Sequence, residues 1–196
     1  MKKHITHTLA LFIGLIGLVL TAQAEDSKII TRFKDGFSGE QGKGGWSYEY
    51  ILKDGSYKKI ETFDAEKKVW KGPEGWHEVG AIALLNLTPG RQNDVALTWT
   101  SPSDGKLYLG LGNIRARGDT EDGVQICVKL NDEVVWPTEG GFHLFKAKDE
   151  TVKPEALKLK VKAGDTLRFI VNRVKHHRGD QVFWNPYISL TPQGKQ

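Results

Sequence analysis

The chain predicts an all-β protein, a two-sheet antiparallel β-sandwich of jelly-roll type, and three observations predict it. Apolar and polar residues alternate at period two in Leu107-Tyr-Leu109-Gly-Leu111, Val124-Gln-Ile126-Cys-Val128-Lys-Leu130 and Leu157-Lys-Leu159-Lys-Val161, the signature of half-buried strands. Asp-Gly, Pro-Gly, Gly-Gly and Ala-Gly-Asp turn signals separate such runs. No segment carries an apolar helical stripe of useful length.

Taken in order, residues 1 to 24 read as a secretory signal peptide. Lys2 and Lys3 form the basic start, Leu9 to Leu20 the apolar stretch and Ala22-Gln23-Ala24 the small-x-small cleavage site. The apolar stretch is short for a bilayer span of about 20 residues, so cleavage and no membrane insertion afterwards are expected, giving a secreted or periplasmic protein. Residues 25–196 are expected to form one sandwich domain. Its strands are placed at Ile29 to Phe33, Trp46 to Leu52, Tyr57 to Phe63, Val79 to Leu84, Val95 to Thr100, Leu107 to Leu111, Val124 to Leu130, Leu157 to Lys162, Thr166 to Asn172 and Val182 to Leu190. Asp64 to Gly75, Asp132 to Glu155 and Arg173 to Gln181 read as irregular regions, where a rigid sandwich would build a site.

Charge and cysteine content exclude several classes. The formal charge is +4, and removing Lys2 and Lys3 leaves 26 basic against 24 acidic residues, too mild a balance to argue for nucleic acid. The single Cys127 cannot form an internal disulfide, so packing alone must hold the fold. It alternates with Val124, Ile126 and Val128, which puts it on the opposite face of its strand, beneath a loop or a second layer. Catalytic signatures fail on particular residues. His77-Glu78-Val-Gly-Ala81 lacks the second His of a zinc-protease helix, Gly110-Leu-Gly112 lacks the third Gly of a dinucleotide loop, and Gly42-Lys43 is followed by Gly44 rather than a hydroxyl. Glu74 and Glu78 flank Trp76 as a glycosidase pair would flank a sugar, yet 24 acidic residues offer many such pairs. The chain reads as non-enzymatic.

Aromatic and charged residues supply the ligand candidates. Trp70-Lys-Gly-Pro-Glu-Gly-Trp76 is breaker-rich, so Trp70 and Trp76 are expected as exposed platforms that stack on sugar rings. Trp46, Tyr48, Tyr50 and Trp99 read as core, and Trp184 stands between these cases. In the basic run Arg173-Val-Lys-His-His-Arg178, Arg173 and Arg178 offer guanidinium groups to sulfate or carboxylate, with Asp180 as a polar partner. Lys158, Lys160 and Lys162 read as a solvated strand face that guards an edge. No cofactor is required; Asp119, Glu121 and Asp122 are weak calcium candidates, against the simpler reading of a capped turn.

Four pieces carry a resemblance. They are Gln41-Gly42 with Gly45-Trp46 and Tyr48; Pro89-Gly90 and Asp94-Val95 leading into Trp99-Thr-Ser-Pro102; Asp122-Gly123-Val124 with Asn131 and Trp136; and Lys162-Ala-Gly-Asp165 with Phe169. In this order they resemble a secreted bacterial β-sandwich module similar to jelly-roll carbohydrate-binding modules, often appended to extracellular polysaccharide-degrading enzymes. The family pattern continues as D-x-T-x-F-D-P, whereas Asp180-Gln-Val-Phe-Trp184-Asn185-Pro186 has Val182 for Thr and Asn185 for the second Asp, after a basic rather than neutral loop. The resemblance implies recognition of a polysaccharide or glycan, with the basic loop turning the preference toward anionic ones. The rival expectation is a cell-envelope or extracellular-matrix domain that docks a protein partner and has no sugar site.

Overall fold

The computed structural model describes residues 28–73, 80–117 and 122–193. The expected signal peptide, Trp76, Asp119 and Glu121 lie outside the described residues.

In chain order the strands are β1 (Ile29–Arg32), β2 (Trp46–Ile51), β3 (Tyr57–Lys59), β4 (Thr62–Asp64), β5 (Val69–Lys71), β6 (Ala81–Ala83), β7 (Asn86–Thr88), β8 (Asp94–Thr100) and β9 (Gly105–Gly110). They continue as β10 (Ile114–Ala116), β11 (Val124–Leu130), β12 (Glu133–Trp136), β13 (His143–Phe145), β14 (Thr151–Val152), β15 (Leu157–Val161), β16 (Thr166–Arg173), β17 (Val182–Phe183) and β18 (Tyr187–Pro192). A four-residue helical turn at Phe33–Gly36 and a three-residue 3-10 turn at Lys43–Gly45 are the helical pieces among the described residues.

All strand pairs are antiparallel and form three sheets. The largest runs β12-β11-β16-β8-β2-β3, with β13 also on β11; the second runs β14-β10-β17-β7-β6-β5-β4; the third is a four-stranded sheet, β1-β18-β9-β15. The last two share chain segments. β9 leads into β10, and β17 into β18, across facing breaks of three residues that contain Gly112 and Pro186. Gly112 sits at φ +70, where a Cβ would stand 3.3 Å from the Asn185 carbonyl, so glycine is what lets these breaks pass each other. One buried cluster draws on Trp46, Tyr48, Leu97 and Phe169 from the large sheet, Leu107, Leu109 and Leu190 from the four-stranded sheet and Ile82, Leu87 and Ile114 from the second. The two smaller sheets thus act as one layer of an all-β sandwich facing the large sheet.

Residues that stand out as motifs turn out to clamp turns. The Gln41 side chain accepts from Tyr48 N (2.9 Å) and donates to the carbonyls of Tyr48 (3.0 Å) and Ile60 (2.7 Å). The Tyr48 hydroxyl in turn accepts from Ser38 N at 2.9 Å. Asn131, at φ 54 in the β11–β12 turn, donates to Asp165 Oδ1 (3.0 Å) and accepts from Thr166 N (2.9 Å), while Asp165 Oδ2 accepts from Lys162 N (2.7 Å). Asn131 and Asp165 satisfy backbone groups of their turns, and Gln41 binds strand β2 at Tyr48, whose carbonyl also accepts from Ile60 N at 2.8 Å.

Two expected strands are divided. The run Tyr57 to Phe63 splits into β3 and β4, which belong to different sheets, and fully buried Ile60 marks the crossover. The run Val182 to Leu190 breaks at Trp184-Asn185-Pro186, because proline removes a ladder donor there; Asn185 Oδ1 instead accepts from Lys34 N at 3.0 Å. Short strands β5, β12, β13 and β14 lie within regions expected to be irregular. Cys127 is buried with Ala96 and Ile170 on the far face of the large sheet, covered by Ile51, Tyr57 and Val134, and burial pushes its thiol up to about 11.

Candidate functional site

The residues expected to bind ligand at the loop end do not converge on an open site. Trp70 is 3% exposed. It stacks on Tyr48 at 4.9 Å with its ring plane tilted by 17°, and its indole N–H donates to the Ser38 carbonyl at 2.8 Å. The expected platform is therefore a core residue, because β5 pairs with β4 and β6 and turns the ring inward. Trp184 is also fully buried. Its N–H donates to the Leu111 carbonyl at 3.1 Å, and its ring meets Phe169 edge-on at 5.4 Å, filling the space between the two facing strand breaks. Trp76 lies outside the described residues.

The charged candidates are largely committed elsewhere. Arg173 Nη1 donates to Asp94 Oδ1 at 3.0 Å, and Nη2 donates to the Gln92 carbonyl at 3.4 Å, so this guanidinium is paired within the protein and ties β16 to β8. Arg178 is exposed. Asp122 accepts from Lys175 N (2.6 Å) and His176 N (3.2 Å), anchoring the basic loop by its backbone. Among the described residues no group of three or more His, Cys, Asp or Glu side chains converges as a metal site, and the other two calcium candidates, Asp119 and Glu121, lie outside them. Asp180 is 0% exposed and neither carboxylate oxygen has a partner. Desolvation, followed by the nearby charges of Asp122 and Asp94, pushes its carboxyl up to about 7 against the opposing pull of Arg173. A buried acid in this setting cannot serve as a surface partner for glycan hydroxyls, which corrects its expected role.

The outer face of the four-stranded sheet presents a different arrangement. Period two sends Leu107, Leu109, Ile188 and Leu190 inward, so their neighbours point out. Register then sets side chains from distant segments side by side: Lys158 and Ser189, the latter only 5% exposed, flank Tyr108, and Thr191 and Lys160 flank Lys106. Arg32 pairs with Tyr187, its guanidinium carbon 5.3 Å from the ring centroid. Tyr108 and Tyr187 meet edge-to-face at 6.4 Å. Gly110, opposite Tyr187, leaves that flank of the ring without a neighbouring side chain. Tyr108 is 45% exposed and Ile30 59% exposed, placing two large apolar side chains on one solvent-facing surface. A shallow depression of about 590 Å³ over Tyr108 is bordered by Lys106, Lys158, Lys160, Ser189 and Thr191. A second, of about 970 Å³, adjoins it at Tyr187 and runs past Arg32. The outward alternation of Lys158 and Lys160 was legible in the sequence; their placement beside Tyr108 was not.

No family model matches the chain, and no curated protein matches it in sequence. In structure it is similar to a GH26-CBM35 β-(1,4)-mannanase from Podospora anserina at 14% identity and TM-score 0.33, covering 87% of this chain and 29% of that one. A family 35 carbohydrate binding module from Clostridium thermocellum gives 15% identity and TM-score 0.32, over 82% of this chain and 97% of that one. Pika GITRL gives 12% identity and TM-score 0.30, over 76% and 98%. The chain thus spans less than a third of the mannanase. At TM-scores of 0.30 to 0.33 these likenesses carry no argument about this chain. Among the described residues no helix is long and apolar enough to cross a membrane.

Proposed function

We propose that this chain is an exported, non-catalytic domain that binds polysaccharide on the outer face of its four-stranded sheet. The observation that carries the reading is the Tyr108 and Tyr187 pair, held edge-to-face at 6.4 Å on an exposed sheet and bordered by hydroxyls and cations. A tyrosine offers an apolar face to a pyranose and a hydroxyl to its oxygens. Such a platform on a sheet is rigid before the ligand arrives, so little ordering cost is left for binding. The face lacks the paired carboxylates that sugar hydrolysis requires, since no outward position on these four strands is Asp or Glu.

The test is Tyr108→Ala in a panel of soluble and insoluble polysaccharides. Loss of the exposed ring is expected to weaken binding by about 1–2 kcal/mol, roughly 5- to 30-fold in Kd, with the melting temperature within about 2 °C of the parent. Unchanged affinity, or equal loss of fold and binding, sinks the assignment of this face. A panel without any binding, together with capture of one defined protein by the same surface, would favour the protein-docking reading instead.

A further inference from the structure

We propose that the ligand of this face is a polyanionic glycan, a chain bearing sulfate or carboxylate groups at repeated positions. The inference rests on the glycan-binding reading above and names the class of substrate for that site.

The argument starts from the register. Outward positions on the four strands and the residue leading into β1 are Lys28, Ile30 and Arg32; Tyr187, Ser189 and Thr191; Lys106, Tyr108 and Gly110; and Lys158 and Lys160. Five of these are cations and none is an acid. The whole chain does not explain this, because beyond residue 24 it is nearly balanced at 26 basic against 24 acidic residues. Among the described residues no ion pair joins Lys28, Lys106, Lys158 or Lys160 to a carboxylate.

Edge protection accounts for part of the pattern, since β15 is the edge strand and lysines there deter pairing with another chain. It does not account for Lys106, which stands on interior strand β9 directly opposite Lys160. Like charges directly opposite in a sheet are destabilising, and no acid lies between them to relieve the repulsion. An anion bound over the pair would.

The shape fits an extended chain. Three strand spacings make the face about 14 Å wide, and the two depressions meet at Tyr187, so a track runs from the lysine cluster past the tyrosines to Arg32. Asp35, beyond Arg32 in the second depression, is the one carboxylate along it among the described residues, and Lys43 borders the same depression. Lysines can neutralise sulfate or carboxylate as point charges, while the rings take the apolar faces of the sugars between them.

The experiment measures binding of the purified protein to heparin, polygalacturonate and two neutral glycans, mannan and cellulose, at 50 and 200 mM NaCl. The variants are Lys106→Glu/Lys160→Glu, the charge-keeping Lys106→Arg/Lys160→Arg, Tyr108→Ala, and Lys58→Glu/Lys59→Glu as a control on exposed β3. Each variant's melting curve is recorded alongside. Four lysine contacts at the slope seen for single-stranded polyanions, about −0.7 per contact, predict a loss of about 50-fold between the two salt concentrations. Lys106→Glu/Lys160→Glu should cost at least a further tenfold at low salt, and the arginine pair and the control should each stay within about threefold of the parent.

Salt-insensitive binding to a neutral glycan that still needs Tyr108 overturns the polyanion inference and leaves the glycan-binding reading intact. Equal loss in the control pair overturns the inference by showing diffuse attraction. Binding to no glycan, with capture instead by anionic lipid vesicles or an acidic protein, overturns both.

Discussion

Replacing Asp180 by Asn should stabilise the protein at alkaline pH and leave it nearly unchanged at acid pH. Asp180 is fully buried with both oxygens unpartnered, and its carboxyl is pushed from 3.8 to about 7. Because the folded pKa lies above the unfolded one, the folded state holds the proton more tightly. Below about pH 4 the acid is protonated in both folded and unfolded states and adds no pH dependence, and stability falls as pH rises toward 7, reaching its lower plateau above that. At 1.36 kcal/mol per pH unit the full difference is about 4 kcal/mol. For a chain of this size that corresponds to roughly 8–16 °C in Tm. The Asn variant carries the same shape without a titrating proton, so its Tm should match the parent at about pH 3 and exceed it by that amount at pH 8. Melts followed by circular dichroism in EDTA test this. Parallel curves across the pH range, or a destabilised variant at pH 8, would falsify the reasoning. A calcium ion at Asp180 and Asp122 would keep both carboxylates charged and reverse the trend, so the melts are repeated with calcium. A calcium-dependent rise above pH 7 that Asp180→Asn abolishes would equally refute an acid left without a counter-charge.

Three further outcomes follow from the same geometry. Trp70→Ala should cost about 3–5 kcal/mol, through loss of the Tyr48 stack and the Ser38 hydrogen bond, with any change in glycan affinity tracking the unfolded fraction; a selective binding defect in fully folded variant would restore it as a platform. Arg173→Met leaves Asp94 without its guanidinium partner at 3.0 Å and should lower stability by about 2–3 kcal/mol in urea melts, whereas Arg178→Met should change it by less than about 0.5 kcal/mol. The Cys127 thiol, pushed up to about 11 under Ile51, Tyr57 and Val134, should resist a disulfide reagent at pH 8 in the native state and react fully in guanidinium; rapid native labelling would contradict its burial.

The fold was legible where strands are long enough to repeat their pattern. β8, β9, β11, β15 and β16 run five to eight residues, so each shows at least two full alternations. β5, β12, β13 and β14 have two to four residues, too few for periodicity to rise above chance. Trp70 was misplaced for that reason. The hairpin ahead of it turns through Asp64 to Lys68 without a glycine, using Asp64 Oδ1 to accept from Lys67 N (3.0 Å) and Lys68 at φ 51, while the Gly and Pro that follow mimic a loop. The burial of Asp180 carried no local signal either, since the loop before it is anchored by Asp122, some fifty residues earlier, at Lys175 and His176.

The lysine row was legible as a solvated edge face, and β15 is indeed an edge strand with Lys158 and Lys160 exposed; its neighbours were not legible, for a deeper reason. A strand's sequence reveals which of its residues point the same way but nothing about the strands beside it. Taken alone, Lys158 and Lys160 describe a solvated edge; only pairing with β9, some fifty residues earlier, sets them against Tyr108 and Lys106. The recognisable motif residues do other work: Gln41, Asn131 and Asp165 close turns by hydrogen bonds to backbone. Turn clamps tolerate little change because a missing partner strands a backbone donor, whereas outward sheet positions accept many side chains at small cost. On the proposed reading, ligand preference resides in residues without a motif, at positions 106, 108, 158, 160 and 187. Their substitution should alter what the face binds without altering whether the chain folds, which is why paired melting and binding measurements on those positions discriminate between a ligand face and a merely solvated one.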